Sequence, residues 1–118
     1  MRLSRKHSMT RWTEFQRVRK DGRSKAGRFL IVSTLEEPAL PHLMTGFITT
    51  RRMGKAHDRN LLRRRMRAIV AAHGGSLENP LRYLVTIPRV GAAEAEFADL
   101  EKDWLKQARR LGLLRETA

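Results

Sequence analysis

Apolar positions recur with two different periods along this chain, and the changes of period divide it into elements in the order αββαβα. Thr13-Glu14-Phe15-Gln16 matches a capping box with Thr13 as the cap. It opens a short helix to about Lys20, with Phe15 and Val18 on one side. Asp21-Gly22 is expected to close that helix through a left-handed glycine. Trp12 is read as a staple packed under the helix, with an exposed base-stacking platform as the alternative. Ser24 to Arg28 reads as a basic loop. Phe29 to Leu35 is rich in β-branched and aromatic residues and predicts a strand. Glu36-Glu37-Pro38 and Pro41 turn the chain into a second strand, Leu43 to Thr50. The two are expected to be antiparallel neighbours, with Gly46 a bulge or a point of close backbone approach.

From Arg59 to His73 the period becomes helical. Leu62, Met66, Ile69 and Val70 fall on one stripe, and Asp58 is a plausible N-cap. Gly74-Gly75 ends this helix. Tyr83, Val85 and Ile87 alternate in a third strand, Arg82 to Ile87, stopped by Pro88. A last helix, about Glu94 to Leu111, carries Phe97, Leu100, Trp104, Ala108 and Leu111 on its apolar stripe, with acids at its start and bases at its end. Phe97 and Trp104 are read as core. The order implies an α+β single domain, a small, mostly antiparallel sheet with helices packed on one face. Residues 1–9 are basic and aperiodic and read as a mobile arm; residues 10–118 form the domain.

Charge changes this picture most at the middle helix. Arg59, Arg63, Arg64, Arg65 and Arg67 follow one another, and Asp58 is the sole acid between Arg51 and Arg67. Each residue turns a helix by roughly 100°, so Arg59, Arg63 and Arg67 stack on one face, with Asn60 and Arg64 beside them. Like charges at this spacing cost a few tenths of a kcal/mol per pair. A solvated face would mix the two signs. A helix docked on phosphate instead gains from counterion release.

The whole chain supports that reading. Its 118 residues suit one core, and 25 Lys and Arg against 12 Asp and Glu give a net charge of +13. The pI is about 11.6. Such a field attracts phosphate polymers. Cysteine is absent, which excludes disulfides and thiolate metal sites and suits a reducing, cytoplasmic compartment. No apolar run is long enough to span a bilayer, and residues 1–25 lack the apolar stretch of a secretory signal.

No side chain is expected to be catalytic. His57 and His73, with Lys55 or Arg59 as a charge stabiliser, are the nearest candidates for an acid–base pair. They stand at opposite ends of a helix, about 24 Å apart, too far to share one bond. Asp99 and Asp103 are read as solvated or paired with Lys102 and Lys106 rather than as metal ligands.

With these segments in place the chain resembles the protein component of bacterial ribonuclease P. The resemblance runs through Glu14-Phe15-Gln16-Arg17-Val18 with Gly22, Thr34-Leu35, and Gly46-Phe47-Ile48-Thr49-Thr50-Arg51-Arg52-Met53-Gly54-Lys55-Ala56. It continues in Arg59-Asn60, Arg63-Arg64, Arg67, Tyr83 to Ile87 and Gly91-Ala92. It implies a left-handed strand–helix–strand crossover through the arginine helix. It also implies a protein that binds a catalytic RNA and the 5′ leader of precursor tRNA, so that the holoenzyme frees the mature 5′ end. In the family the RNA does the chemistry with Mg²⁺, so the ion is expected to be shared with RNA rather than held by side chains. No membrane and no obligate protein partner are implied.

Position by position, Arg59, Asn60, Arg63, Arg64 and Arg67 match the family's basic signature toward the catalytic RNA, and Arg51, Arg52 and Lys55 the loop before it. Phe15 matches an aromatic of the leader cleft. Arg19 and Ser33 stand at cleft positions that are often aromatic, and Leu61 stands where a further arginine is usual; His57 and Asp58 also depart from the pattern. An arginine at 19 can still stack its plane on a base while pairing a phosphate. The alternatives are a basic protein of the ribosome or its assembly, and a helix-turn-helix DNA binder using Arg59 to Arg67.

Overall fold

The computed structural model describes residues 1–115; 116–118 of the expected domain lie outside the described residues. Helix α1 (Trp12–Asp21) leads into β1 (Arg23–Ala26), β2 (Leu30–Glu36) and β3 (Met44–Phe47). Helix α2 (Ala56–His73), β4 (Arg82–Pro88) and α3 (Phe97–Arg110) complete the fold. The sheet order is β1-β2-β4-β3. β2 pairs antiparallel with β1 and β4, whereas β3 runs parallel to β4 and is joined to it through α2.

Two strand expectations are corrected. β2 and β3 are not neighbours, because β4 lies between them. Its residues are buried on both faces, Arg82 to Thr86 in succession, and a strand with two apolar faces belongs in the middle of a sheet. The stretch expected as a basic loop contains β1, whose four residues are all exposed. With no face to bury it shows no apolar alternation, and its cations suit a sheet edge.

The sheet is apolar on both sides, which decides where the helices go. Leu30, Val32 and Leu84 meet Leu62, Met66, Ile69 and Val70 of α2 and Leu100, Trp104 and Ala108 of α3. The buried stripe of α2 is the one predicted. Tyr83, Val85, Leu35 and Ile87 face the other way and are met by Phe15 and Val18 of α1 and by Met9. So two helices share one face as expected, and α1 takes the opposite one. Trp104 is fully buried and donates its indole N–H to Thr86 Oγ1 at 3.2 Å. Phe97, expected in the core, is 38% exposed: α3 starts at this residue, beyond the edge of the packed stripe. Asp103 is neither solvated nor paired with lysine. Its Oδ2 accepts the amide N–H groups of Phe29 and Leu30, each at 2.9 Å, and ties α3 to the start of β2.

Several caps differ from expectation. Helix α1 begins two residues before Thr13 could cap it, and Glu14 Oε1 accepts the Arg11 amide at 3.0 Å. Gly22 is extended, not left-handed. A Cβ there would run into the carbonyl oxygens of Thr34 and Val18, so the requirement is close approach. Positive φ falls instead at Gly54, at +116° just before α2, and at Gly91 and Gly112. Asp58 is the third residue of α2 rather than its cap and accepts the Lys55 amide at 3.1 Å.

The N-terminal residues run along the domain. Met9 N–H donates to Thr45 O at 2.8 Å, His7 is buried, and the terminal amine donates to Ala71 O at 2.9 Å.

Candidate nucleic-acid interface

Helix α2 sorts its arginines by direction. Arg64 and Arg67 are exposed, and Arg59 and Arg63 are half-buried beside the exposed Asn60. Arg63 donates to Asn60 Oδ1 at 3.2 Å and reaches Thr49 Oγ1 at 3.5 Å, which holds its fork upright on the helix. Arg59 Nε is covered and has no hydrogen-bond partner among the described residues. The salt bridges of the described residues join Arg17 to Glu37, His73 to Glu101 and Arg82 to Glu36. None involves an arginine of α2. The strip expected from spacing therefore presents guanidinium groups without carboxylate partners.

The remaining arginine of the run lies off the strip, as its spacing places it. Arg65 donates to the Ala95 carbonyl at 3.0 Å and serves the packing of α2 on the segment before α3. Its position one residue beyond Arg64 rotates it away by roughly 100°. Arg51 and Arg52 form a short 3-10 turn, and with Lys55 they are exposed at the approach to α2. The chain's beginning extends this basic surface. Met1, Arg2 and Leu3 line a groove against Arg64, Arg67, Ala68 and Ala71. An aperiodic basic segment carries no sequence signal for that placement.

On the opposite face of the sheet lies a cleft of about 620 Å³. Trp12, Phe15, Gln16, Val18 and Arg19 of α1 form one wall. Ile31, Ser33, Val85 and Ile87 form the floor, with Ser24 and Ile48 at the sides. Phe15, Arg19 and Ser33, expected to belong together, do line the same cleft. Phe15 is seated by Gly46, where a Cβ would stand 2.5 Å from its ring; this is the close approach expected of that glycine. Ser33 and Ser24 share a hydroxyl hydrogen bond of 2.9 Å across β2 and β1. Trp12 is 72% exposed, not packed under the helix. The cleft and the strip meet at the end of β3: Ile48 lines the cleft, and the next residue, Thr49, holds Arg63.

Several other charged groups have structural partners. Arg82 is buried and donates to Asn79 O, Thr34 Oγ1 and Glu36 Oε1 at 2.7, 3.0 and 3.2 Å. Burial pulls its pKa below the ordinary arginine value, and Glu36 partly opposes this. His7 is held below the usual histidine value by burial first, then by His42, Lys6 and Arg67. Its ring lies 4.9 Å from that of His42. His57 is exposed, whereas His73 bonds Glu101 at 3.0 Å, so the two do not form one site. Among the described residues no three His, Asp or Glu side chains come together as a metal-holding group. None of the helices there is long and apolar enough to cross a membrane.

Residues 3–112 match the family model described as Ribonuclease P. The chain is 33% identical over 116 residues to the ribonuclease P protein component of Syntrophomonas wolfei, covering 98% of this chain and 96% of that one. Its fold matches the Staphylococcus aureus RNase P protein with a TM-score of 0.84 at 20% identity, covering 92% of this chain and 98% of that one. It matches the RNase P protein from Thermotoga maritima, solved in complex with 1-(4-fluorophenyl)-2-thiourea, with a TM-score of 0.70 at 26% identity over 79% and 89% of the two chains. With a family match across nearly its whole length and a curated relative at one-third identity, the chain belongs to the ribonuclease P protein family.

Proposed function

We propose that this chain is the protein subunit of a ribonuclease P holoenzyme, gripping its RNA with the strip on α2 and the 5′ leader of precursor tRNA in the cleft beside α1. The observation that carries the reading is the pairing of two unlike surfaces at one sheet edge. One is a strip of arginines with no carboxylate partners among the described residues; the other is an apolar cleft rimmed by polar and cationic groups. Folded RNA hides its base edges in a deep groove, so the strip engages phosphate and shape. A single strand exposes its bases, and an apolar cleft with an aromatic wall takes those.

The protein's part is to neutralise phosphate and to position the leader. Arg59, Asn60, Arg63, Arg64 and Arg67 dock the RNA, with Arg51, Arg52 and Lys55 extending the contact. Phe15, Arg19 and Ser33 hold the leader. The phosphodiester is hydrolysed on the RNA. Any Mg²⁺ at this surface is shared with the RNA rather than held by side chains alone; Asp58, the acid on the strip's own helix, has one carboxylate oxygen on the Lys55 amide. RNA phosphates would supply the ion's ligands.

Reconstitution tests this. Adding the protein to the catalytic RNA and precursor tRNA at low Mg²⁺ is expected to speed 5′ cleavage, because bound cations replace part of the ionic screening that RNA folding and substrate binding need. A rate unchanged by the protein at every Mg²⁺ concentration would sink the reading.

A further inference from the structure

Trp12 exposes 72% of its surface and belongs to neither hydrophobic cluster. Capping does not require it, since Glu14 already satisfies the Arg11 amide. An indole is worth carrying for the roughly 150–250 Å² it can bury, and here most of that area is exposed on a residue that lines the cleft. Trp12, Phe15 and Arg19 are spaced i, i+3 and i+7 on α1 and line the same wall. Together they span about 10 Å along the helix, room for about three stacked nucleotides at about 3.4 Å each. The wall itself carries a cation: Arg19 lines the cleft and is exposed, with Lys20 exposed next to it in sequence and Asp21 following.

We infer that Trp12 is a base-stacking residue at the lip of the cleft, taking one nucleobase of single-stranded RNA while Phe15 and Arg19 carry its neighbours. The inference rests on the leader-binding reading of the cleft and adds a residue to it. An exposed π-face adjoining a guanidinium and a second ring suits nucleobases of any sequence, because every base has a face to stack. Arg19 can lie flat on a base and still reach a phosphate. The Ser24–Ser33 hydroxyl pair offers hydrogen bonds from the sheet side. Trp12 thereby supplies aromatic surface in a cleft where Arg19 and Ser33 supply none.

The test uses holoenzyme reconstituted with wild-type, Trp12→Ala or Trp12→Phe protein, titrated with precursor tRNA carrying a long leader and with leaderless tRNA. Trp12→Ala is expected to lose about tenfold in long-leader affinity and nothing for leaderless tRNA, and Trp12→Phe to recover most of the loss. The long leader should also quench exposed tryptophan emission, leaving that of buried Trp104. A Trp12→Ala enzyme that keeps the full long-leader advantage overturns the inference and leaves the cleft reading intact. Equal losses with both substrates also overturn it, since they indicate a structural role. If wild type shows no long-leader advantage, the cleft reading falls and takes this inference with it.

Discussion

Helices α2 and α3 lie on the same face of the sheet and bury comparable stripes, yet their outer faces follow opposite rules. Several polar groups on α3, of both charge signs, find partners inside the protein. Glu101 takes His73, Asp103 takes the amides of Phe29 and Leu30 where β2 begins, and Gln107 accepts from Arg110 at 2.7 Å. On α2 the inward-turned Arg65 finds the Ala95 carbonyl, while Arg64 and Arg67 stay exposed with no acid on them among the described residues. Amphipathicity thus says which side of a helix is buried, and the matching of charges says what the other side is for. Unmatched charges of one sign repel, and an isolated domain gains nothing by holding them together.

The strongest way to sharpen the contrast is to remove the keystone of α3. Trp104→Ala should cost about 3–5 kcal/mol of stability, measured by urea denaturation. Protein that remains folded should bind RNA as wild type does, because the strip is elsewhere. Loss of RNA affinity in protein that remains folded would mean that the two helices do not divide their work.

A smaller effect tests the other side directly. Arg64→Ala and Arg67→Ala should each lower the slope of log affinity against log salt by about one phosphate's worth, roughly 0.7–0.9. Stability should move by no more than about 0.5 kcal/mol. Lys102→Ala and Lys106→Ala on α3 should leave the slope alone. Equal slope changes from the two helices would erase the distinction.

The smallest effect concerns two histidines. His73 sits between α2 and α3 against Glu101, whereas His7 sits among cations near the strip. In the folded protein the pKa of His7 lies below 6.5, the value it regains on unfolding. The unfolded chain therefore binds more protons between those two values. The contribution of His7 to stability is complete above pH 6.5 and is lost as pH falls through the folded value. Denaturation at neutral and mildly acidic pH should show wild type losing more stability on acidification than His7→Gln. An identical slope in the two proteins would count against a buried neutral His7.

Local pattern alone determined a good deal. The stripe of Leu62, Met66, Ile69 and Val70, the strand from Arg82, the core role of Trp104 and the single sign of charge along α2 all follow from period and composition. These are properties of residues within a turn or two of each other. The gathering of Phe15, Arg19 and Ser33 was reachable through family resemblance, because conserved folds bring the same positions together. Tertiary structure alone decided the rest. β4 separates β2 from β3 because its two apolar faces both need cover, and β1 becomes a strand because β2 offers it an edge. Asp103 finds the Leu30 amide of β2 across 73 residues of chain, and Trp12 stays in the open because Met9, Phe15 and Val18 already fill the core beneath α1. Each outcome depends on which distant segments compete for the same surface, and spacing along the chain does not encode that competition.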